Sequence, residues 1–418
     1  MNGPQPQLQD LTIEQKRALA AGLLREKAGR EASAWPLSQG QQALWFLDRL
    51  APESAAYHLH FTARIRSRFD TAAFERACAG LLARHSALQT VVVERAAGLT
   101  QEVRPGVQPH FHVIAAEGWT DEELHAAVTS EYRRPFRLEE GLPWRVRLLR
   151  KAPDDCIFLL VIHHIASDFW GLLILLEDLS RLLAGSPAGR PGAASYGDFV
   201  RREARELEGA EGERLWEYWR EQLHGLPRLD LPFSRPEGVS QPFAGATHAF
   251  SLSPELSARV SALARAEGAG VFAVLMSAFA ALLGRYSGQT DFPIGTITSG
   301  RGHSDFTEIA GHFMNPVVLR VHPHAATPFR EFLAESRKTA TAAMAHDGLP
   351  YRLLVDRLQT ARDSGSPGIY DALFLYQQPA KLPELAGFFI PGYPKVARRF
   401  GGLEIEPFFH PQQEGQLD

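Results

Sequence analysis

Seven consecutive apolar residues, Cys156 to Ile162, limit the folds open to this chain more than any other segment does. A strand without polar positions must be covered on both faces, so the run predicts a central strand of an α/β protein. His163 and His164 end the run. Because side chains alternate along a strand, we expect the two imidazoles to face opposite sides of the sheet and to have different roles.

The segment HHIASDFW places these histidines on a strand, a tight loop and a helix start, with Ser167 or Asp168 as the predicted helix cap. Loops on such scaffolds often carry function. A neutral imidazole is a suitable base near pH 7, and a nearby carboxylate or arginine can fix its orientation. General acid–base chemistry is therefore one interpretation, and buried, hydrogen-bonded core histidines are the other.

A metal site formed by His163, His164 and Asp168 is disfavoured. Neighbours that face opposite sides of a strand are poor chelators, and no further cysteine or histidine cluster accompanies them. The sequence also has no nucleophile elbow, phosphate loop or dinucleotide fingerprint at a strand-to-helix junction. We therefore expect no bound metal or nucleotide.

Helix and strand patterns alternate along most of the chain, which predicts an α/β (α+β) fold with mixed sheets. We expect a capped helix from Thr120, a long charged helix over Tyr196 to His224 and a helix start at Ser253 and Pro254. Gly268 to Gly284 is predicted to be a buried helix, since it falls short of the roughly 20 residues that span a bilayer.

The chain is expected to divide into four parts, with boundaries at small and polar stretches. A helix from Thr12 to Gly29 opens it, and Gly185 to Ala194 marks a boundary between two larger units. The predicted parts are an N-terminal helix and linker (1–35), a first lobe (36–190), a connection between lobes (191–245) and a second lobe (246–418).

Composition narrows the partners and the compartment. The chain has 44 lysines and arginines against 48 aspartates and glutamates, so no net field favours nucleic acid or an anionic membrane. Its two cysteines, Cys78 and Cys156, have no metal-ligand or disulfide pattern. The polar start, Met1 to Asp10, lacks a secretory pattern. We expect a cytoplasmic protein.

HHIASDFW resembles the HHxxxDG signature of the condensation domains of nonribosomal peptide synthetases, which belong to the chloramphenicol acetyltransferase-like superfamily. Seven further segments fall in the order that this family has. They are LSQGQQALWFL (37–47), RHSALQT (84–90), SYGDFV (195–200), IGTITSGR (294–301), IAGHFMNPVVLR (309–320), HDGLPY (346–351) and RDSGSP (362–367).

The resemblance implies two chloramphenicol acetyltransferase-like lobes in a V-shaped pseudo-dimer around a central tunnel. Phosphopantetheine arms of donor and acceptor carrier proteins would enter this tunnel from opposite ends, with no cofactor bound directly. His164 would face the tunnel and orient or deprotonate the acceptor amine that attacks the donor thioester. The product would be an amide.

The resemblance also assigns supporting roles. His163 would hold the loop from the other face, and Asp168 would pair with Arg301, for which a solvated surface charge is the alternative. Core packing is the alternative for Asn315. The residues expected to line the tunnel are Phe169, Trp170 and Asn315.

The sequence departs from the family pattern in several places. Phe169 stands where the family has glycine, so we expect it to reshape the tunnel for a specialised donor, such as a polyketide-type one, or to impair catalysis. Ser86 and Gln89 also differ from the family residues, with an expected effect on helix-end packing. The end, PQQEGQLD, resembles the start of a strand that continues in the family. We therefore expect a fragment, followed in the complete protein by adenylation and carrier domains.

Other functions remain open at this point. A noncatalytic domain that recruits carrier proteins or partner enzymes is the main alternative. Epimerisation and acyl transfer to a hydroxyl are also compatible with the histidine motif, whereas heterocyclising relatives have a pair of aspartates instead. Residues 1–30 would either dock another polypeptide of the synthetase or simply pack on the lobe.

Overall fold

The computed structural model describes residues 34–96, 98–104, 106–189, 194–232, 247–359, 368–377, 382–390 and 396–409. Three segments with sequence-based predictions lie outside these residues. They are the opening helix (12–29), the RDSGSP segment (362–367) and the final segment PQQEGQLD (411–418).

The described strands and helices alternate, as expected for a mixed α/β protein. The strands are β1 (Ala34–Pro36), β2 (His58–Ile65), β3 (Thr90–Arg95), β4 (Gly98–Val103), β5 (Phe111–Ala115), β6 (Trp144–Ala152), β7 (Asp155–His163), β8 (Phe292–Thr298), β9 (Asn315–Val321), β10 (Arg398–Phe400) and β11 (Leu403–Pro407). The helices are α1 (Gln39–Leu50), α2 (Thr71–Arg84), α3 (Asp121–Arg133), α4 (Phe169–Leu183), α5 (Tyr196–Glu208), α6 (Ala210–Gln222), α7 (Pro254–Ala266), α8 (Val271–Ser287), α9 (Phe329–Met344) and α10 (Tyr351–Gln359).

A six-stranded mixed sheet in the order β10-β11-β2-β7-β6-β5 carries the histidine motif. Strand β7 lies between β2 and β6 and is antiparallel to both, whereas β5 and β6 are parallel. Every residue from Cys156 to Ile162 is exposed by 1% or less. The prediction of a central strand covered on both faces is therefore confirmed.

Two main hydrophobic cores form around the sheets. The first surrounds the six-stranded sheet and helices α2, α3 and α4. The second surrounds the two-stranded sheet β8-β9 with helices α6, α8, α9 and α10. A smaller aromatic cluster of Trp35, Tyr196, Phe306 and Phe313 lies apart from both.

Predicted helix starts agree with the structure where a capping side chain is present. Ser253 caps α7 with Pro254 in its first turn, and Thr120 forms a capping box with Glu123 at the start of α3. The single helix predicted over 196–224 is instead two helices, α5 and α6, which are separated at Gly209. Gly209 has an extended backbone and ends α5, so the charged pattern continues across a break in the helix.

The end of the described chain does not follow the predicted division into lobes. Strands β10 and β11 lie in 246–418, yet β11 pairs with β2 in the six-stranded sheet. Phe400, Ile405 and Phe408 belong to the first core, because pairing with the edge of β2 brings their apolar side chains over that core. Part of the second predicted lobe therefore completes the sheet of the first.

Helix α8 corresponds to the predicted apolar helix, but it is not buried throughout. Met276 and Ala280 are fully buried, whereas Leu282 and Tyr286 are exposed by 50% and 57%. Among the described residues, no single helix meets the length and hydropathy needed to cross a membrane. Helices α7 and α8 reach that threshold only as a pair, and they are bent by 106° relative to each other.

Candidate functional site

The histidine motif lies where β7 ends and the chain turns into α4. Strand β7 ends at His163, and the backbone N–H of His164 donates to the carbonyl of Tyr57 at 2.8 Å. Both rings are buried. The side chain of His163 contacts His58 and Phe136, whereas that of His164 contacts His312. The two imidazoles thus have separate surroundings, as their alternation along the strand predicts.

His163 is held by its own loop. Its Nδ1 accepts the backbone N–H of Ile165 at 3.1 Å, so the proton of the neutral ring is on Nε2. That nitrogen lies 3.6 Å from a carboxylate oxygen of Asp48. These contacts hold the loop that follows the strand.

His164 has a second histidine as its neighbour. The two Nδ1 atoms of His164 and His312 are 3.2 Å apart, and their rings meet edge to face at 81°. Burial is the main reason that the pKa of His164 is lowered to about 4. The ring is therefore neutral near pH 7 and has a lone pair with which to accept a proton.

Asp168 connects the start of α4 to a distant loop. One carboxylate oxygen accepts the backbone N–H of Gly171 at 2.7 Å and an N–H of Arg301 at 2.9 Å. The other accepts the backbone N–H of Phe313 at 3.1 Å. Asp168, and not Ser167, is thus the helix cap, and its negative charge also suits the positive end of the helix dipole.

Arg301 is buried and not a solvated surface charge. Its side chain is 2% exposed and that of Asp168 is 4% exposed. The guanidinium lies over the ring of Phe313 at 3.9 Å, a cation–π contact. Burial lowers the pKa of Arg301 from its ordinary value, and the charge of Asp168 opposes that shift. The expected ion pair between Asp168 and Arg301 is therefore present.

Gly171, two positions after Phe169, is the glycine that allows neighbouring groups to pack closely against the start of α4. A Cβ atom at Gly171 would come within 2.5 Å of the Ser167 hydroxyl and 3.3 Å of the Gly311 nitrogen. The ring of Phe169 instead meets Phe389 edge to face, 5.2 Å between centroids. Phe169 is half-buried, and its ring contacts a segment that follows β9 by many residues.

Trp170 and Asn315, both expected to line the tunnel, form side-chain hydrogen bonds to the backbone of other residues. The indole N–H of Trp170 donates to the carbonyl of Thr307 at 3.0 Å. The amide N–H groups of Asn315 donate to the carbonyls of Asp347 and Leu349, and its oxygen accepts the N–H of Tyr351. Asn315 thus ties β9 to the start of α10.

Three residues that the sequence analysis did not single out support the histidine loop. The hydroxyl of Tyr196 donates to the carbonyl of His312 at 2.7 Å, and the amide of Gln41 donates to the carbonyl of Ile165 at 2.8 Å. His312 is the third. All three lie in the segments SYGDFV, LSQGQQALWFL and IAGHFMNPVVLR, which the resemblance had already marked.

The described residues contain no group of three or more histidine, cysteine, aspartate or glutamate side chains that could hold a metal ion. What the site does hold is a neutral, buried imidazole on a firmly supported loop. Such a group can take up a proton, release it, or accept a hydrogen bond from a substrate.

Known proteins are similar to this chain over most of its length. A family model described as "Condensation domain" matches residues 31–393. One of the linear gramicidin synthase proteins of Brevibacillus parabrevis is 33% identical over 390 residues, which are 91% of this chain and 5% of that protein. Phosphinothricin tripeptide synthetase PhsC of Streptomyces viridochromogenes is 32% identical over 360 residues, which are 84% of this chain and 33% of that protein. The chain thus spans less than a tenth of the length of three linear gramicidin synthase proteins that it matches.

Solved structures share the fold. A four-domain nonribosomal peptide synthetase, holo-AB3403 bound to AMP and glycine, matches 92% of this chain with a TM-score of 0.81 at 20% identity, over 30% of its own length. The X-domain from teicoplanin biosynthesis matches 81% of this chain and 76% of its own, with a TM-score of 0.71 at 26% identity. That X-domain has also been solved in complex with OxyB.

The fold is thus the chloramphenicol acetyltransferase-like α/β fold of condensation domains. The family model covers nearly all of the described residues, including His163, His164, Asp168 and Arg301. Because this family model matches, and because relatives share 30% identity or more with the chain over most of the chain's length, the chain belongs to the Condensation domain family of nonribosomal peptide synthetases.

Proposed function

We propose that this chain catalyses amide formation between an acyl or peptidyl thioester on a donor carrier protein and the amine of an aminoacyl group on an acceptor carrier protein. The observation that supports this most directly is the neutral, buried imidazole of His164 on a loop fixed by the Asp168–Arg301 ion pair. The setting would be the biosynthesis of a nonribosomal or hybrid polyketide peptide. Membership of the Condensation domain family supports that setting.

The proposed reaction is balanced in atoms and protons. The amine nitrogen attacks the thioester carbonyl carbon, a C–N bond forms and the C–S bond breaks. One proton leaves the amine nitrogen, is accepted or hydrogen-bonded by His164, and finally reaches the departing thiolate sulfur. The products are an amide on the acceptor carrier and a free phosphopantetheine thiol on the donor carrier.

The remaining site residues have positioning roles in this proposal. His163 and the Asp168–Arg301 pair hold the loop that carries His164. Phe169, Trp170 and Asn315 line the tunnel between two lobes, at about residues 36–190 and 246–418, joined by 191–245, with β10 and β11 added to the sheet of the first lobe. The side chains of Trp170, Arg301 and Asn315 make hydrogen bonds within the protein, which supports a role in shape rather than in proton transfer.

The proposal also covers partners and surroundings. The phosphopantetheine arms would be supplied by the carrier proteins, with no directly bound cofactor, metal, nucleic acid or membrane. Residues 1–30 would dock another polypeptide of the synthetase. The described cysteines, Cys78 and Cys156, are free and buried, which supports a cytoplasmic location.

A second candidate is a noncatalytic domain that recruits a partner enzyme. It is favoured by one observation, the 26% identity to the teicoplanin X-domain, which forms a complex with OxyB. The retained histidine motif favours catalysis, because a recruitment surface alone does not need a neutral imidazole at the end of a buried strand.

The deciding experiment is intact mass spectrometry of loaded donor and acceptor carriers after incubation with the full chain. We expect transfer by the wild type and a rate about 10²- to 10⁴-fold lower for His164→Ala, the usual contribution of a positioned acid–base group. His112→Ala is the matched control, since His112 is exposed on β5, and it should transfer normally. A folded wild type that transfers nothing from a broad donor panel would favour the recruitment candidate.

A further inference from the structure

A second imidazole shares the environment of His164 and has no part in the mechanism given above. His312 lies in the loop between β8 and β9, 148 positions after His164, and its Nδ1 is 3.2 Å from the Nδ1 of His164. The side chains of His312 and His164 are both buried. This contact comes from two histidines that are distant in sequence.

Neighbouring residues hold the His312 ring in this position. The hydroxyl of Tyr196 donates to the backbone carbonyl of His312 at 2.7 Å and accepts a further hydrogen bond from the hydroxyl of Ser38 at 3.2 Å. A Cβ atom at Gly40 would lie 2.9 Å from Cδ2 of the His312 ring. Glycine at position 40 therefore leaves room for the ring against the first turn of α1.

The contact determines which nitrogen of His164 remains available. Nδ1 of His164 lies 3.2 Å from Nδ1 of His312, and Nε2 is the ring nitrogen of His164 that takes no part in this contact. In the proposed function Nε2 accepts the proton, which requires Nδ1 of His164 to carry the ring proton and to donate it to Nδ1 of His312.

His312, like His164, is a neutral ring near pH 7. Burial, followed by the nearby positions of His164, Arg301 and His163, holds the pKa of His312 well below its ordinary value. A neutral ring at this distance restrains the His164 ring without placing a positive charge beside it.

From this geometry we propose that His312 is a positioning residue, which fixes the His164 ring through the Nδ1–Nδ1 contact so that Nε2 of His164 meets the acceptor amine. The inference rests on the proposed amide-forming function and adds to it the residue that orients the base. His312 acts through His164 and does not touch the reacting atoms itself.

The test is a set of variants of the full chain in the carrier-based transfer assay. His312→Leu removes the polar contact, and His312→Asn keeps a side chain that can accept a hydrogen bond from Nδ1–H of His164. We expect His312→Leu to lower kcat about 10- to 100-fold, the usual range for groups that orient a functional side chain, with KM for the acceptor carrier unchanged. His312→Asn should recover most of the loss.

Two further variants separate positioning from general damage to the fold. In the His164→Ala background, His312→Leu should lower the rate no further, because a residue that acts only through His164 has nothing left to orient. Gly40→Ala places a methyl group against the His312 ring while leaving every polar group in place, so it should also lower kcat. It keeps the proposal testable if His312→Leu does not fold.

The outcomes distinguish this inference from the function on which it rests. An inactive wild type overturns both. An active wild type with an impaired His164→Ala variant, but with normal kcat for His312→Leu and Gly40→Ala, overturns the role of His312 alone. A further loss on adding His312→Leu to His164→Ala also overturns it, since that result indicates an effect independent of His164.

Discussion

Asp168 shows how a single residue can hold two distant parts of the chain together. Its carboxylate accepts hydrogen bonds from Gly171, Arg301 and Phe313, and Arg301 is 133 positions away. Both charged side chains are buried, so each has lost its hydration and depends on the other. The presence of the pair is therefore no evidence of net stabilisation, because replacing both charges of a buried pair by apolar groups is often harmless.

Removing one charge of this pair should be strongly destabilising. Asp168→Asn keeps a good helix cap but leaves Arg301 buried without a counter-charge, so we expect the free energy of unfolding in urea to fall by about 3–5 kcal/mol. Asp70→Asn is the matched control, since Asp70 caps α2 in the same way at an exposed site, and it should cost less than about 1 kcal/mol. Equal losses in the two variants would contradict the role given to the ion pair.

At the same scale, the sequence identified some site residues and missed others. The opposite surroundings of His163 and His164 follow from strand alternation alone, and the Asp168–Arg301 pair followed from the family pattern. The contact between His164 and His312 could not be predicted, because it arises only when the loop after β8 folds against the end of β7. No local spacing marks a lone histidine as the neighbour of another one 148 positions away.

At the scale of elements, the loop between β8 and β9 depends on glycines that allow close approach. Gly311 has no side chain, and its carbonyl accepts the N–H of Asp168 at 3.0 Å. A Cβ atom there would lie 2.2 Å from a ring carbon of Tyr196, which is fully buried. The ring cannot move aside without losing its hydrogen bond to His312, so position 311 fixes the loop against α5.

Gly311→Ala should therefore disturb the site, whereas the same change nearby should not. We expect Gly311→Ala to lower the acyl-transfer rate at least about 10-fold and the free energy of unfolding by about 1–3 kcal/mol, the usual range for overpacking. Gly302→Ala lies in the same loop with open space around its Cβ position, and it should change neither quantity measurably. Similar rates for the two variants would show that the close packing at position 311 is not required.

Elements were predictable where their signals are local. The capping residues Thr120 and Ser253 marked helix starts correctly, because a cap is formed by side chains within one turn. The break at Gly209 was missed, since the charged pattern of α5 resumes in α6 and one glycine is often tolerated in a helix. The pairing of β11 with β2 was missed because it joins residues about 340 positions apart.

At the scale of the whole molecule, three helices from distant parts of the chain meet at the start of α1. The backbone N–H of Gln39 donates to Glu203 on α5 at 2.9 Å, and the side chain of Gln39 accepts an N–H of Arg352 on α10 at 2.5 Å. Burial raises the pKa of Glu203 to about 7, against the opposing effect of the Gln39 hydrogen bond. The His312 ring lies next to this junction, since a Cβ atom at Gly40 would be 2.9 Å from it.

The raised pKa of Glu203 makes the stability of this junction depend on pH. Between pH 4.5 and 7 the folded state keeps a proton that the unfolded state has lost, so the stability contributed by Glu203 falls as the pH rises and is fully lost above about pH 7. Glu203→Gln should therefore be more stable than the wild type by about 1–3 kcal/mol at pH 8 and nearly equal to it at pH 4, as measured by urea unfolding.

Glu206→Gln, which changes an exposed residue of the same helix, is the control, and its free energy of unfolding should stay within about 0.5 kcal/mol of the wild-type value at both pH values. A Glu203→Gln variant that is less stable than the wild type at pH 8 would show that the ionised carboxylate is needed to join α1 to α5, and that burial does not dominate at this junction.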